Sequence, residues 1–134
     1  MQLDIRSEKN LAGVHPKLVA VVRRAAQLLT ERHDTLGFIV TEGLRTRERQ
    51  AQLLKAGASR TMNSKHLPAP NGMGHAVDLA ATVAGAVRWD WPLYHQLAAV
   101  MKQAAKEKGV PLTWGGDWKS FKDGPHYEVP VGLE

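Results

Sequence analysis

Cysteine is absent from this chain, and that gap narrows the chemistry open to it. No disulfide can staple the fold and no thiolate can ligate a metal, so any metal site must be built from His, Asp or Glu. Long apolar runs are missing too. Charges break every hydrophobic pattern within a few residues, far short of the roughly 20 residues that a membrane-spanning helix needs. The opening "MQLDIRSEKN" is too polar for the apolar region of a secretory signal. Nor is there a polybasic run or a helix-turn-helix, zinc-finger or RNA-recognition signature, so nucleic acid is not the expected partner.

What is present suits a single globular module. The 134 residues, 43% of them hydrophobic, are enough to bury a core and too few for two ordinary domains. A net charge of +5 favours an anionic partner such as a cell-wall polymer. The basic residues are spread through "RRAA", "RTRER" and "KQAAKEK", and most read as solvated faces.

Helical and strand patterns are mixed without strict βαβ alternation. In "HPKLVAVVRRAAQLLTERH", Leu18, Val21, Val22, Ala25, Leu28 and Leu29 recur at i, i+3, i+4 behind Pro16, which predicts a core-packing helix. Phe38, Ile39 and Val40 predict a short strand that ends at Gly43 and leaves Arg45 at its exit. "TRERQAQLLKAG" predicts a second helix with Thr46 as N-cap, Leu53 and Leu54 as apolar contacts and Gly57 as its stop. Beyond a loop from Ala58 to Gly74, "HAVDLAATV" reads as a strand, with Val77 and Leu79 on one face and Ala76, Asp78 and Ala80 on the other. "DWPLYHQLAAVMKQAAKEKG" is the clearest helix, from an Asp90 N-cap to Gly109. Two more short strands are expected in "VPLTWGGDW" and "PHYEVPV". The expected class is therefore α+β, a small antiparallel sheet with packed helices.

Histidines and acids gather in two stretches. "NSKHLPAPNGMGHAVDLAA" holds His66, His75 and Asp78; "KDGPHYE" holds Asp123, His126 and Glu128. Any one of them alone is more often a surface or structural residue, and only the combination points to metal chemistry. A catalytic zinc site takes about three nitrogen or oxygen ligands and keeps a position for water. His66, Asp78 and His126 supply such a set if folding brings them together. His75 competes as a ligand, but three positions from Asp78 on a strand it points to the other face, so it is expected behind the ligands or at the rim. The Gly124-Pro125 turn can bring Asp123 back over a metal as general base. Glu128 is the alternative base, since i and i+2 share a face with His126, and it can instead orient that ring.

Taken in concert, "GLRTRERQAQLLKAGAS", "SKH", "GHAVDLAA", "WGGDW" and "DGPHYE" resemble the M15 peptidases of the D-alanyl-D-alanine and L-alanyl-D-glutamate type. In particular they resemble bacteriophage endolysins that cut the peptide stems of peptidoglycan, and the resemblance runs from about Val14 to Glu128. Ser64-Lys65-His66 is similar to that family's Ser-x-His element, Gly74 to Asp78 to its Gly-x-Ala-x-Asp element, and Asp123 to His126 to its late acidic-x-x-His element. The resemblance implies that His66, Asp78 and His126 bind one zinc ion and that Asp123, rather than Glu128, is the catalytic carboxylate. It also implies that Arg45 stabilises an oxyanion or a substrate carboxylate, a structural ion pair being the plainer alternative. Gln52 and Ser64 fall at family positions too and join His75 and Glu128 as secondary candidates. "LPAPNGM", which lengthens the link between the first two elements, is expected as a surface loop near the cleft mouth.

For the whole chain the resemblance implies a fold like that of D-Ala-D-Ala peptidases and hedgehog signalling domains. Residues 1–134 are expected to form a single catalytic domain, monomeric, with no separate cell-wall-binding domain. Its substrate would be the stem peptide, cut between L-Ala and D-Glu. With no signal peptide, the protein would wait in the host cytoplasm and reach the periplasm and wall once another factor opens the inner membrane. Two other readings stay open: a D-Ala-D-Ala carboxypeptidase or dipeptidase, and a zinc-stabilised wall-binding module without catalysis, against which the presence of Asp123 argues.

Overall fold

The computed structural model describes residues 2–58 and 64–134, so part of the expected Ala58–Gly74 loop lies outside the described residues. Along the chain the elements are α1 (Ile5–Leu11), α2 (Pro16–Arg32), β1 (Leu36–Glu42), α3 (Arg47–Lys55), β2 (Ala76–Val83), β3 (Ala86–Arg88), α4 (Trp91–Lys108), β4 (Thr113–Trp114) and β5 (His126–Glu128). The class is α+β, as expected. The apolar stripe of α2, with Leu18, Val21, Val22, Ala25 and Leu29 fully buried, packs on α4 through Leu97, Val100, Met101 and Ala104, and both helices cover the sheet. Each such Leu or Met contributes roughly 1.5–3 kcal/mol over leaving it in water.

All pairings in the sheet are antiparallel, in the order β1-β2-β5-β4, with β3 also on β2. The central strand β2 has β1 along one edge. Its first residues meet β5 (Asp78 opposite His126) and its last meet β3. The β2–β3 turn is a two-residue loop in which Ala84 and Gly85 both have positive φ (50° and 85°), the geometry that matches the twist of a tight hairpin.

Two elements escape the sequence reading, α1 and β3. Of the apolar residues in α1, Ile5 is 77% exposed and Leu11 is buried, so the helix has no apolar stripe to betray it. It docks instead through polar groups. Ser7 Oγ accepts from the Val40 N–H (2.9 Å) and Asn10 Nδ2 donates to the Val40 carbonyl (2.8 Å). Since β1 is an edge strand, α1 thereby satisfies backbone groups that would otherwise stand open. The Asp4 carboxylate caps the helix by accepting from the Ser7 N–H at 2.7 Å. In α3 the Thr46 cap is as expected, but the packing face is not: the buried residue is Gln50, while Leu54 is 39% exposed.

Candidate metal centre and active site

The site forms where β1 leaves the sheet, β2 enters it and β5 crosses beside β2. A bulge between Val40 and Glu42 shifts the register at this end of β1, and such bulges re-aim the chain that follows. The turn after it passes so close to α1 that a Cβ at Gly43 would lie 1.8 Å from the Asn10 carbonyl oxygen, so only glycine fits. That turn grips His66 twice. The Gly43 carbonyl accepts from His66 Nδ1 (2.9 Å), and the Arg45 N–H donates to the His66 carbonyl (2.7 Å). Ser64 Oγ accepts from the His66 N–H at 3.1 Å, which gives Ser64 a local structural task at the cleft wall.

These contacts fix which atoms face inward. A carbonyl can only accept, so His66 Nδ1 carries the proton and a neutral ring turns the Nε2 lone pair inward. That atom lies 3.3 Å from Asp78 Oδ1. His126 repeats the arrangement with its nitrogens exchanged: Nε2 donates to Glu128 Oε1 (2.8 Å) while Nδ1 lies 3.3 Å from the same Asp78 oxygen. Lys65 pairs with the other oxygen of Glu128. Three acceptor atoms therefore face one another, all within 4.8 Å, and only a proton or a cation between them reconciles the geometry. The spacing of 3.3 Å is that of a tetrahedron edge when the centre lies about 2.0 Å from each corner, the bond length of zinc to nitrogen or oxygen. His66, Asp78 and His126 are thus able to hold a metal ion, with their outward N–H groups tied to a carbonyl and a carboxylate as ligating histidines usually are.

The electrostatics follow from this convergence. Burial alone would raise the Asp78 carboxyl, but hydrogen bonds from His126 and His66 hold it well below the usual carboxylate range. Burial would likewise lower His126, yet its bonds to Asp78 and Glu128 push it up to about 9. Glu128 is held down to about 2, because its bonds to His126 and Lys65 outweigh its burial. Asp123 behaves in the opposite way: burial and the nearby Asp78 charge raise it.

A cleft of about 650 Å³ opens over the triad, and Asp123, Arg45 and Ser64 line it with the three possible ligands. Asp123 is seated by Gly115, whose carbonyl accepts from the Asp123 N–H (3.1 Å) and where a Cβ would lie 2.4 Å from the Asp123 carbonyl oxygen. Glycine is required at 115 by that approach and at 116 by another, since a Cβ there would lie 2.3 Å from the Trp114 ring. Arg45 is 8% exposed; its Nη1 donates to Gln50 Oε1 (2.8 Å), and its Nη2 lies 3.6 Å from Glu42 and 3.7 Å from Asp78. Its Nε is buried with no hydrogen-bond partner among the described residues. An unsatisfied buried donor at a cleft wall calls for an acceptor from outside.

Three expectations are corrected. His75 is neither ligand nor rim: it is fully buried, its ring 5.3 Å from His15 and its Nδ1 donating to the Met73 carbonyl. The alternation of β2 sends it away from Asp78 and into the base of the 67–73 loop. That loop folds back on the N-terminal segment through Gly74 N–H to the Gly13 carbonyl, and the residues that line the cleft do not include it. Gln52 is exposed and absent from the lining; Gln50, two positions earlier, is the glutamine that meets Arg45.

The phage L-alanyl-D-glutamate peptidase family model matches residues 1–129. The chain belongs to that family. Similar proteins include the L-alanyl-D-glutamate peptidases of Listeria phage A118 (35% identity over 90% of this chain) and Escherichia phage T5 (34% over 94%). The chain spans 40% of the length of the first and 87% of the second. Among solved structures, the crystal structure of Serratia marcescens L-Ala D-Glu endopeptidase ChiX superposes with a TM-score of 0.82 at 44% identity, covering 97% of this chain and 90% of that one. The small antiparallel sheet with packed helices is therefore the fold of a family member, and the cleft over the triad is the place to look for its chemistry.

Proposed function

We propose that this chain is a zinc-dependent peptidoglycan endopeptidase of the endolysin type, cutting stem peptides between L-Ala and D-Glu. The observation that carries the reading is the convergence of lone pairs from His66 Nε2, Asp78 Oδ1 and His126 Nδ1 beneath a cleft that also receives a carboxyl of raised pKa. The names of the phage and Serratia relatives supply the bond. Two imidazoles and one carboxylate suit zinc in a hydrolytic role, where it lowers the pKa of water and polarises the scissile carbonyl.

The chain's own residues do the rest. Asp123 accepts a proton as water adds to the L-Ala carbonyl carbon, and its raised pKa suits it to hold that proton. It then gives the proton to the D-Glu amine as the C–N bond breaks. Arg45, permanently charged and with an Nε–H that has no partner among the described residues, faces the developing oxyanion or a substrate carboxylate. Glu128 and Gly43 fix the two imidazoles. The polymer acted on is the cell wall. Residues 1–134 act as a single monomeric catalytic domain, made in the host cytoplasm and reaching the wall after the inner membrane is opened. Among the described residues, no helix is long and apolar enough to cross a membrane.

The test measures bound zinc and newly formed amino termini on purified peptidoglycan, for wild type and Asp123→Asn in parallel. The expected result is about one zinc in both proteins and new D-Glu amino ends from wild type alone, the variant falling by about 10²–10⁴-fold. Release of terminal D-alanine instead would make the protein a carboxypeptidase. Zinc without cleavage in either protein would make it a binding module.

A further inference from the structure

Asp123 and one of the possible metal ligands ride on a single turn. Asp123 opens the tetrapeptide Asp123-Gly124-Pro125-His126 and His126 closes it, its N–H donating to the Asp123 carbonyl (3.2 Å). Each end is held from outside. At the His126 end the Pro125 carbonyl accepts from the Leu79 N–H (2.9 Å), and His126 pairs with Asp78 across the sheet. Asp123 lies outside any strand. Its end of the turn is held by two bonds: the Asp123 N–H donates to the Gly115 carbonyl (3.1 Å), and the Gly124 carbonyl accepts from the indole Nε1–H of Trp114 (2.7 Å).

Trp114 is itself firmly seated. It is 3% exposed and sits on β4 opposite Tyr127. The His95 ring meets it edge-on at 5.2 Å, and the Lys102 ammonium lies 5.1 Å from its ring centre. Tyr94 supports the same turn from another side, since a Cβ at Gly124 would lie 2.4 Å from the Tyr94 ring. An indole N–H can only donate, and a buried donor or acceptor that loses its partner is costly. The Trp114 ring and the Gly124 carbonyl therefore fix one another.

We propose that Trp114 is a positioning residue for Asp123: its indole N–H sets the tilt of the 123–126 turn and so the place of the carboxylate above the metal ligands. The inference rests on the role of general base given to Asp123 above. The two ends of the turn respond differently to loss of that bond. His126 keeps its pairing with Asp78, the Leu79 bond beside it and its own bond to Glu128, so the ligand stays in place. Asp123 keeps only the Gly115 bond and the turn's own closing bond, and its carboxylate is free to swing. A general base works within about 2.6–3.2 Å of the proton it takes, and a misplacement of about 1 Å can cost on the order of 100-fold in rate.

The test measures kcat and KM on a soluble muramoyl stem peptide, together with zinc affinity by competition with a chelating dye. Trp114→Phe withdraws the donor and keeps part of the ring. Site-specific replacement of Trp114 by benzothienylalanine keeps the shape of the whole ring and puts sulfur where the N–H was, so lost packing cannot explain its result. In both proteins kcat should fall by about 10–100-fold, while KM and zinc affinity stay within about threefold of wild type. In an Asp123→Asn background the same replacements should lower kcat no further, because a residue that acts through Asp123 then has nothing left to position. An unchanged kcat in the benzothienylalanine protein would overturn the proposal. So would kcat and zinc affinity falling together, which would make Trp114 a support of the whole centre, or an equal loss in the Asp123→Asn background. Near-normal turnover by Asp123→Asn alone would instead remove the general-base reading and the proposal with it.

Discussion

Glu128 lines the cleft beside His126 and decides how that ring presents its lone pair. Its Oε1 takes the Nε2 proton and its Oε2 is tied to Lys65. Replacing it with glutamine keeps the shape and removes the charge. Glu128→Gln should weaken zinc affinity by about 10–100-fold, measured by competition with a chelating dye, while the fold, followed by circular dichroism, is retained. The metal-free protein should also show its pH dependence at this ring. Burial would lower His126, but its bonds to Asp78 and Glu128 raise it from 6.5 to about 9. Between those two values the folded ring holds a proton that an incoming metal must displace. Zinc affinity should therefore rise with pH by up to about tenfold per unit and level off near pH 9, with about one proton released per zinc near pH 7.5. Calorimetry in buffers of different ionisation enthalpy reads that proton directly; its absence would mean the ring is already neutral. At this scale the sequence singled out His66, Asp78, His126, Asp123 and Arg45 by their combination of residue types and by the resemblance of their motifs, and all five line one cleft. It was uninformative where orientation depends on helix rotation. Few apolar residues set the phase of α3, so its sequence did not show that Gln50 turns inward to Arg45, and Gln52 was named from the family resemblance alone.

Among the elements, α1 shows why a helix can be invisible to periodicity. It buries two polar contacts to Val40 where most helices bury an apolar stripe, so no i, i+3, i+4 pattern announces it. The long helices and β2 were legible because apolar burial is what holds them; β3, with all three residues exposed, was not. The consequence for stability is specific. Ser7→Ala leaves the buried Val40 N–H without its acceptor, which should cost about 1–3 kcal/mol and lower Tm by on the order of 3–10 °C. Thermal unfolding of the zinc-loaded protein checks it, and a Tm within a degree of wild type would mean that α1 does not hold the edge of β1. The loss should also reach the metal site, because the strand that α1 braces runs into Gly43, whose carbonyl orients His66.

For the molecule as a whole, a net charge of +5 is spread over many faces, and the charged pairs on the surface are mostly short-range: Arg23 with Glu8, Arg24 with Glu107, Lys102 with Asp117. Pairs of that kind add little to stability, so the excess charge is better read as a long-range field. An anionic wall polymer gathers such a protein at low ionic strength, and the attraction fades once the Debye length falls to about 8 Å near 0.15 M salt and about 3 Å at 1 M. A small soluble stem peptide samples mainly the cleft, where Arg45 is buried and screened far less. Raising salt from about 0.02 to 0.5 M should therefore slow the hydrolysis of intact walls by a larger factor than that of a soluble muramoyl peptide, with the difference appearing in KM rather than kcat. Turbidity clearing of purified walls set beside chromatography of the soluble product measures both. Equal salt dependence would place the electrostatics in the cleft itself, and the surface charge would then be a matter of solubility alone.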